Sequence, residues 1–268
     1  MANNASVLDF SGKSEGQVAL PPQFDEPVRP DLISRAAHAQ FTLTLQPKGA
    51  FPLAGMATSA EYFGRRHEPR QTINTGRSRL PREKLADNRL GRVRQVPHSV
   101  TGRRAHPPKP YTVLVEKINF KEKMKAIRSA IAATADDGTV RKRGHKFSCA
   151  LPIVVDSNFE SIKKSGESRN ALEGLGLSED LRRAREGRRM RSGRARLRKG
   201  GYRSTSSVLI VYGKDSGVWR ATRNIPGVDA VAVEKLDVGL LAPGGVPGRL
   251  TVWTRGAIEK LGKERLYL

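Results

Sequence analysis

An α/β fold with a largely parallel sheet, helices on both faces and two basic excursions is what this amino-acid sequence predicts. Three observations carry the prediction. Short runs of Val, Ile and Leu alternate with amphipathic helical segments, the pattern of strands buried on both faces. A long stretch of the first half keeps neither a helical nor a strand period. Positive charge is gathered into two segments instead of being spread over the chain.

The elements can be justified in order. Val7–Phe10 and Gln17–Leu20 read as strands of a hairpin turning at Gly12-Lys13-Ser14-Glu15-Gly16. Pro30-Asp31 opens a helix reaching about Leu43, with a proline and an acid where helix starts favour them. Leu32, Ile33, Ala36 and Ala39 give it an apolar stripe. Asn119, with Glu122 three residues on, has the spacing of a capping box for a helix that buries Met124, Ile127 and Ile131. Leu151–Val155 reads as a buried strand and Ser161–Leu175 as a helix. Val208–Tyr212, Val228–Val233, Val238–Leu241 and Leu250–Trp253 are strand-like, and Arg255–Leu261 is a last helix. Together they predict a Rossmann-like three-layer body over residues 1–47 and 110–268. A loop over 48–109 interrupts it, and a second basic arm over 182–203 lies within it.

The 268-residue chain carries a formal charge of +23, and 37% of its residues are hydrophobic. Gly64–Lys109 holds thirteen Lys/Arg against Glu68, Glu83 and Asp87, and Arg182–Arg203 holds eleven against Glu186. These segments account for +20 of the +23, leaving a nearly neutral body. A polyanion binder concentrates charge in this way. A loop of about 60 residues also exceeds the usual limit inside a compact domain, so either regular elements there escape the pattern or a partner orders it.

Both segments favour arginine over lysine, whose planar fork clasps phosphate through two bonds and stacks on bases. In the first, glycine lets backbone approach a phosphate and proline keeps the chain extended. In the second, like charges recur at Arg182/Arg185/Arg189 and Arg191/Arg194/Arg198, and Gly187, Gly193 and Gly200-Gly201 interrupt. Such a segment is a poor free helix that anions would rescue. The candidate RNA contacts are Arg65, Arg66, Arg70, Arg77, Arg79, Arg82, Arg92, Arg94, Arg103 and Arg104 in the loop. In the arm they are Arg188, Arg189, Arg191, Arg194, Arg196, Arg198, Lys199 and Arg203. Arg223 and Arg249 join them beside two Gly/Pro turns, Asn224-Ile225-Pro226-Gly227 and Ala242–Gly248. Phosphate contacts supply position and affinity, not a base code.

Catalytic and metal patterns fail on context. Gly12-Lys13-Ser14-Glu15-Gly16 matches a nucleophile elbow, yet Pro21-Pro22 follows where that chemistry needs a helix. Gly12-Lys13-Ser14 also resembles the end of a phosphate-binding loop, but Val7 stands where its first glycine belongs. His38, His67, His98, His106 and His145 show no ligand spacing, and Cys149 has no cysteine partner. Asp136-Asp137 and Asp156 suit turns and strand ends, and Cys149 a buried, inert position. No cofactor, metal or membrane span is expected, and a single cysteine fits the reducing cytoplasm.

Several stretches resemble one known family. Arg188–Arg194, Arg223-Asn224-Ile225-Pro226-Gly227-Val228, Leu241-Ala242-Pro243-Gly244-Gly245 and Gly248–Thr254 resemble signature stretches of large-subunit ribosomal protein four in its archaeal and eukaryotic form. Upstream, Ala54–Glu61, Thr75–Arg82 and Arg29–Ile33 follow in the same order, so the resemblance covers nearly the whole chain. It implies a non-enzymatic constituent of the cytoplasmic large subunit that binds its rRNA and supports assembly. It implies a loop lining the nascent-peptide exit tunnel, with Tyr62, Phe63, Gly64, Arg65, Arg66, Gly76 and Arg77 near the wall. The family's usual Ser-Trp-Gly is Tyr62-Phe63-Gly64 here. Implied partners are large-subunit rRNA, neighbouring ribosomal proteins and the passing nascent chain, with no homo-oligomer. The absence of a long tail after Leu268 points to an archaeal source. The competing readings are a nucleic-acid-processing enzyme, which lacks an acid cluster, and a regulator binding its own messenger RNA.

Overall fold

A computed structural model describes residues 4–197 and 200–268. Its contacts divide the chain into two units: residues up to Thr44 with Glu116–Leu268, and Leu45–Val115.

The first unit opens with strand β1 (Asn4–Leu8) and strand β2 (Ser14–Ala19), an antiparallel hairpin whose tight turn lies at Asp9–Lys13. The predicted turn residues Ser14, Glu15 and Gly16 are already strand. Helix α1 (Pro30–Thr42) and helix α2 (Phe120–Ala132) follow in this unit. Asn119 does occupy the N-cap of α2, but its side chain makes no capping bond; burial of Ala126, Ile127, Ala130 and Ile131 carries this helix instead. Helix α3 (Asp137–Lys142) was not expected from periodicity; Asp136 caps it by accepting from the Gly138 and Thr139 amides.

After the ribbon of β3 (Arg82–Lys84) and β4 (Leu90–Val93) in the second unit, strand β5 (Ile153–Val155) precedes helix α4 (Ser165–Gly174) and helix α5 (Ser178–Glu186). A short ribbon, β6 (Arg189–Met190) with β7 (Tyr202–Arg203), leads into β8 (Leu209–Tyr212), helix α6 (Val218–Thr222) and β9 (Asp229–Ala232). Val238–Leu241, expected as a strand, is the short helix α7. Four apolar residues fit either state, and here they bury Val238 and Leu241 against α1 and α2. Strand β10 (Thr251–Thr254) and helix α8 (Arg255–Lys263) end the unit.

The sheet order is β2-β1-β5-β10-β8-β9, with β1, β5, β10, β8 and β9 parallel and β2 antiparallel at one edge. The last strand therefore inserts at the centre. Side chains alternate across it: Val154, Leu209, Val211 and Trp253 face one core with α1, α2, α7 and α8. Ile153, Val155, Ile210 and Val252 face the other with α4, α5 and α6. Trp253 is fully buried and meets Phe24 edge-on at 5.2 Å.

The second unit, Leu45–Val115, buries only Ala60 and Thr72. Its regular structure is one antiparallel ribbon, β3 (Arg82–Lys84) with β4 (Leu90–Val93), turning through Asp87 and Asn88 at positive φ. No period is visible in these residues because so short a ribbon has no buried face to alternate against. Gly55, at φ +78°, lets backbone meet backbone: a Cβ there would lie 2.6 Å from the Arg103 amide nitrogen.

Candidate nucleic-acid interface

In Leu45–Val115 the arginines divide into two groups, apart from Arg89, which pairs with its neighbour Asp87 at 3.3 Å. Arg94 pairs with Glu83 at 2.7 Å and donates to the Val100 carbonyl, Arg82 donates to Ser78 Oγ at 2.8 Å, and Arg70 donates to the Leu85 carbonyl at 3.1 Å. Those three brace the unit. Arg65, Arg66, Arg77, Arg79, Arg92, Arg103 and Arg104 are exposed, and no described residue pairs with them. Tyr62 is exposed, Phe63 lies under the Lys84 ammonium at 5.3 Å, and Gly64 packs against the Tyr62 ring. Gly76, at φ +70°, faces open space.

The second basic segment is not one poor helix. Arg182–Glu186 completes α5, where burial of Leu181 and Ala184 and the Arg182–Glu186 pair at 2.8 Å offset the like-charge spacing. Beyond Gly187 the chain forms the β6–β7 ribbon, with a single-turn 3-10 helix at Gly193–Leu197. Arg188 stacks on the Tyr202 ring at 4.4 Å. Arg189, Arg191, Arg194, Arg196 and Arg203 are exposed, while Arg198 and Lys199 lie outside the described residues.

Beneath this arm lies a buried charge cluster that sequence reasoning missed. Asp180, in the first turn of α5, is buried and accepts from Arg183 at 2.9 Å, from Ser207 Oγ and from the Lys146 amide. His145 Nδ1 stands 3.1 Å from its carboxylate. Burial works to raise the Asp180 carboxyl, but the bonds from His145, Arg183 and Ser207 outweigh it and hold it at about 2. Burial, opposed by Asp180 and aided by the Arg183 and Arg143 cations, lowers His145. Arg143 is depressed to about 10 by burial and by its neighbours Arg249 and Arg183, so it stays charged at neutral pH. It donates to the Pro243 carbonyl at 2.7 Å and to the Val246 carbonyl. Only the run Arg141-Lys142-Arg143 could have signalled this in the sequence.

The two arginines expected beside the Gly/Pro turns part company. Arg223 is exposed, with its guanidinium 5.0 Å above Trp219. It shares an open basic hollow with Lys163, Lys164 and Arg220, which the sequence separates too widely to group. Arg249 is a correction. It is fully buried and donates to the carbonyls of Ser207 (2.9 Å), Leu240 (3.0 Å) and Gly227 (3.2 Å), and to Asp229, so it presents nothing to RNA. The Asn224–Gly227 turn it anchors has Gly227 at φ +77°, where a Cβ would sit 2.4 Å from the Thr205 carbonyl oxygen.

Open parallel sheets receive ligands in the crevice beyond the carboxyl ends of their strands. That place is filled here by the protein itself. Glu160, after β5, accepts from the Gly213 amide at 2.8 Å and the Lys214 amide at 3.1 Å, both after β8, and from Thr254 Oγ1 at 2.6 Å at the end of β10. Among the described residues no group of three His, Cys, Asp or Glu could hold a metal ion, and no helix is long and apolar enough to cross a membrane. Cys149 is half-buried, not buried as expected, and burial raises its thiol.

Known proteins resemble this chain along nearly its whole length. The pattern of the Ribosomal protein L4/L1 family matches residues 18–264. The "Large ribosomal subunit protein uL4" of Methanocaldococcus jannaschii is 45% identical over 262 residues, covering 97% of this chain and 98% of that protein. The protein of the same name from Methanothrix thermoacetophila is 47% identical over 263 residues, covering 98% and 100%. That from Archaeoglobus fulgidus is 46% identical over 259 residues, covering 97% and 98%. A match of this extent, over both the sheet-forming body and the basic segments, means that the chain belongs to the ribosomal protein L4/L1 family.

Proposed function

We propose that the chain is a structural, non-enzymatic constituent of the large ribosomal subunit in the cytoplasm. It binds large-subunit rRNA, supports subunit assembly, and contacts neighbouring ribosomal proteins. The body over 1–47 and 110–268 docks on RNA, with 182–203 as its basic arm. The loop over 48–109 threads between RNA helices and lines part of the exit tunnel, with Tyr62, Phe63, Gly64, Arg65, Arg66, Gly76 and Arg77 facing the nascent chain.

The observation that carries this reading is that Leu45–Val115 combines seven free arginines with two buried residues. So little burial leaves the conformational entropy of the segment uncompensated. Phosphates that neutralise the arginines supply the missing free energy.

One experiment tests both parts. Tagged protein with p-azidophenylalanine replacing exposed Tyr62 is assembled into archaeal large subunits, washed in high salt and irradiated over a stalled nascent chain. The expected result is co-sedimentation with the subunit and cross-links to rRNA and nascent peptide. Release by the wash sinks the subunit assignment, while retention without a peptide adduct sinks the tunnel assignment alone.

A further inference from the structure

In the antiparallel β6–β7 ribbon, Arg189 stands directly opposite Arg203. Like charges opposed across a ladder destabilise it, and neither arginine has a partner among the described residues. Both line a cavity of about 760 Å³, with Lys142, Arg143 and Arg183 on its walls and His145 among its lining residues. The one carboxylate behind this wall, Asp180, is consumed by His145, Arg183 and Ser207. Arg143 and Arg183 are fixed by carbonyl bonds to Pro243 and Ser206, so two cations are held in place before any ligand arrives. Five cations line the cavity, of which Arg183 is already paired with Asp180, and no acid among the described residues lines it, which makes a seat for an anion of high charge density. The paired forks of Arg189 and Arg203 suit the oxygens of a phosphate.

We infer that this cavity at the root of the second arm holds one phosphate group, clasped jointly by Arg189 and Arg203 and backed by Arg143, Arg183 and Lys142. The phosphate cancels the cross-strand repulsion, so its arrival sets the β6–β7 ribbon and with it the arm. The inference rests on the RNA-binding reading above and specifies where on the body one phosphate sits. Its source is either a phosphodiester of the rRNA or free phosphate.

The full-length protein is titrated with archaeal large-subunit rRNA over a KCl series, as wild type, Arg189→Gln, Arg203→Gln and the double variant. One shared phosphate predicts that the double variant flattens the slope of log K against log salt by roughly 0.7–0.9, with single losses that do not add. About twice that change with additive singles means two separate phosphates and overturns the clasp, as does no change in any variant while the wild-type slope stays steep. In a second arm, unfolding midpoints are compared in potassium phosphate and potassium chloride at equal ionic strength. If the wild-type RNA slope is itself shallow, the RNA-binding reading has failed. A phosphate-specific rise seen in wild type and lost in the double variant then assigns the seat to free phosphate, and its absence overturns the seat. In chloride alone the double variant is expected to melt no lower than wild type, because its repulsion is removed. Should it fail to fold, Lys142→Gln replaces it in both arms and is held to the same outcomes.

Discussion

Arg249 shows how far a side chain's role depends on the atoms around it. It sits two residues before β10 in a basic protein, in the stretch Gly248–Thr254, and invites assignment to RNA. Instead its fork ties together three carbonyls from separate segments: Ser207 before β8, Gly227 in the turn before β9, and Leu240 in α7. The Gly227 carbonyl keeps the Ser207 amide as a donor, but the Ser207 and Leu240 carbonyls depend on Arg249, and each buried acceptor left without a donor costs about 1–3 kcal/mol. Arg249→Ala should therefore destabilise the body by on the order of 3 kcal/mol or more, read by urea unfolding. Arg249→Lys recovers only part, since an ammonium cannot reach all three directions. The salt slope of RNA binding by the folded protein should not move. A variant as stable as wild type with a flatter slope would return Arg249 to the interface.

At the scale of an element, α5 joins the body to the basic arm. Its first turn holds Asp180 against His145, Arg183 and Ser207, so the helix is anchored by a charge whose titration is linked to folding. The Asp180 carboxyl lies at about 2 in the folded protein, below its ordinary 3.8. Its contribution is thus full above pH 4 and is lost as pH falls towards 2, and the shift corresponds to roughly 2 kcal/mol. His145 is also lowered by burial, so it takes up a proton more readily when unfolded, and stability begins to fall below about pH 6.5. Both act in the same direction. Denaturation measured from pH 7 to pH 2 should show that acid loss in wild type and a smaller loss in Asp180→Asn and His145→Gln, each starting from lower stability at pH 7. Identical pH profiles for all three proteins would contradict the linkage. This network was invisible in the sequence, where residues 145, 180, 183 and 207 carry no common spacing. What was legible were elements with a long buried face: α1, α2, β8 and α8 fall within a few residues of their periodic patterns. Where a face is short the pattern is ambiguous, as at Val238–Leu241, and where a cap does the work, as Asp136 does for α3, hydrophobic periodicity is silent. The exposed arginines were legible as a group because charge crowding needs no fold. Which of them would brace the protein, as Arg70, Arg82 and Arg94 do, depended on partners that only the folded chain supplies.

At the scale of the whole molecule, two kinds of stability coexist in one chain. The sheet-forming body buries both faces of its three central strands, β5, β10 and β8, and its cohesion comes from burying apolar area. Leu45–Val115 and the described residues of the segment after α5 bury almost nothing and are rich in unpaired positive charge, so on the function proposed above their order would depend on a polyanion. Local opening free energy follows burial, which makes the two parts separable by a protease. Trypsin acting on the free protein should cut within Leu45–Val115 and Gly187–Arg203 on the order of 10-fold faster than within the body, despite lysines and arginines throughout. Large-subunit rRNA should abolish that difference, whereas a simple polyanion such as heparin should protect the arm more than the loop. The reason is that the arm needs charge neutralised over one cavity, while the loop needs a shaped channel along its length. If both segments resist cleavage without RNA as well as the body does, their shape is intrinsic, and the physical basis for an RNA-dependent loop is gone.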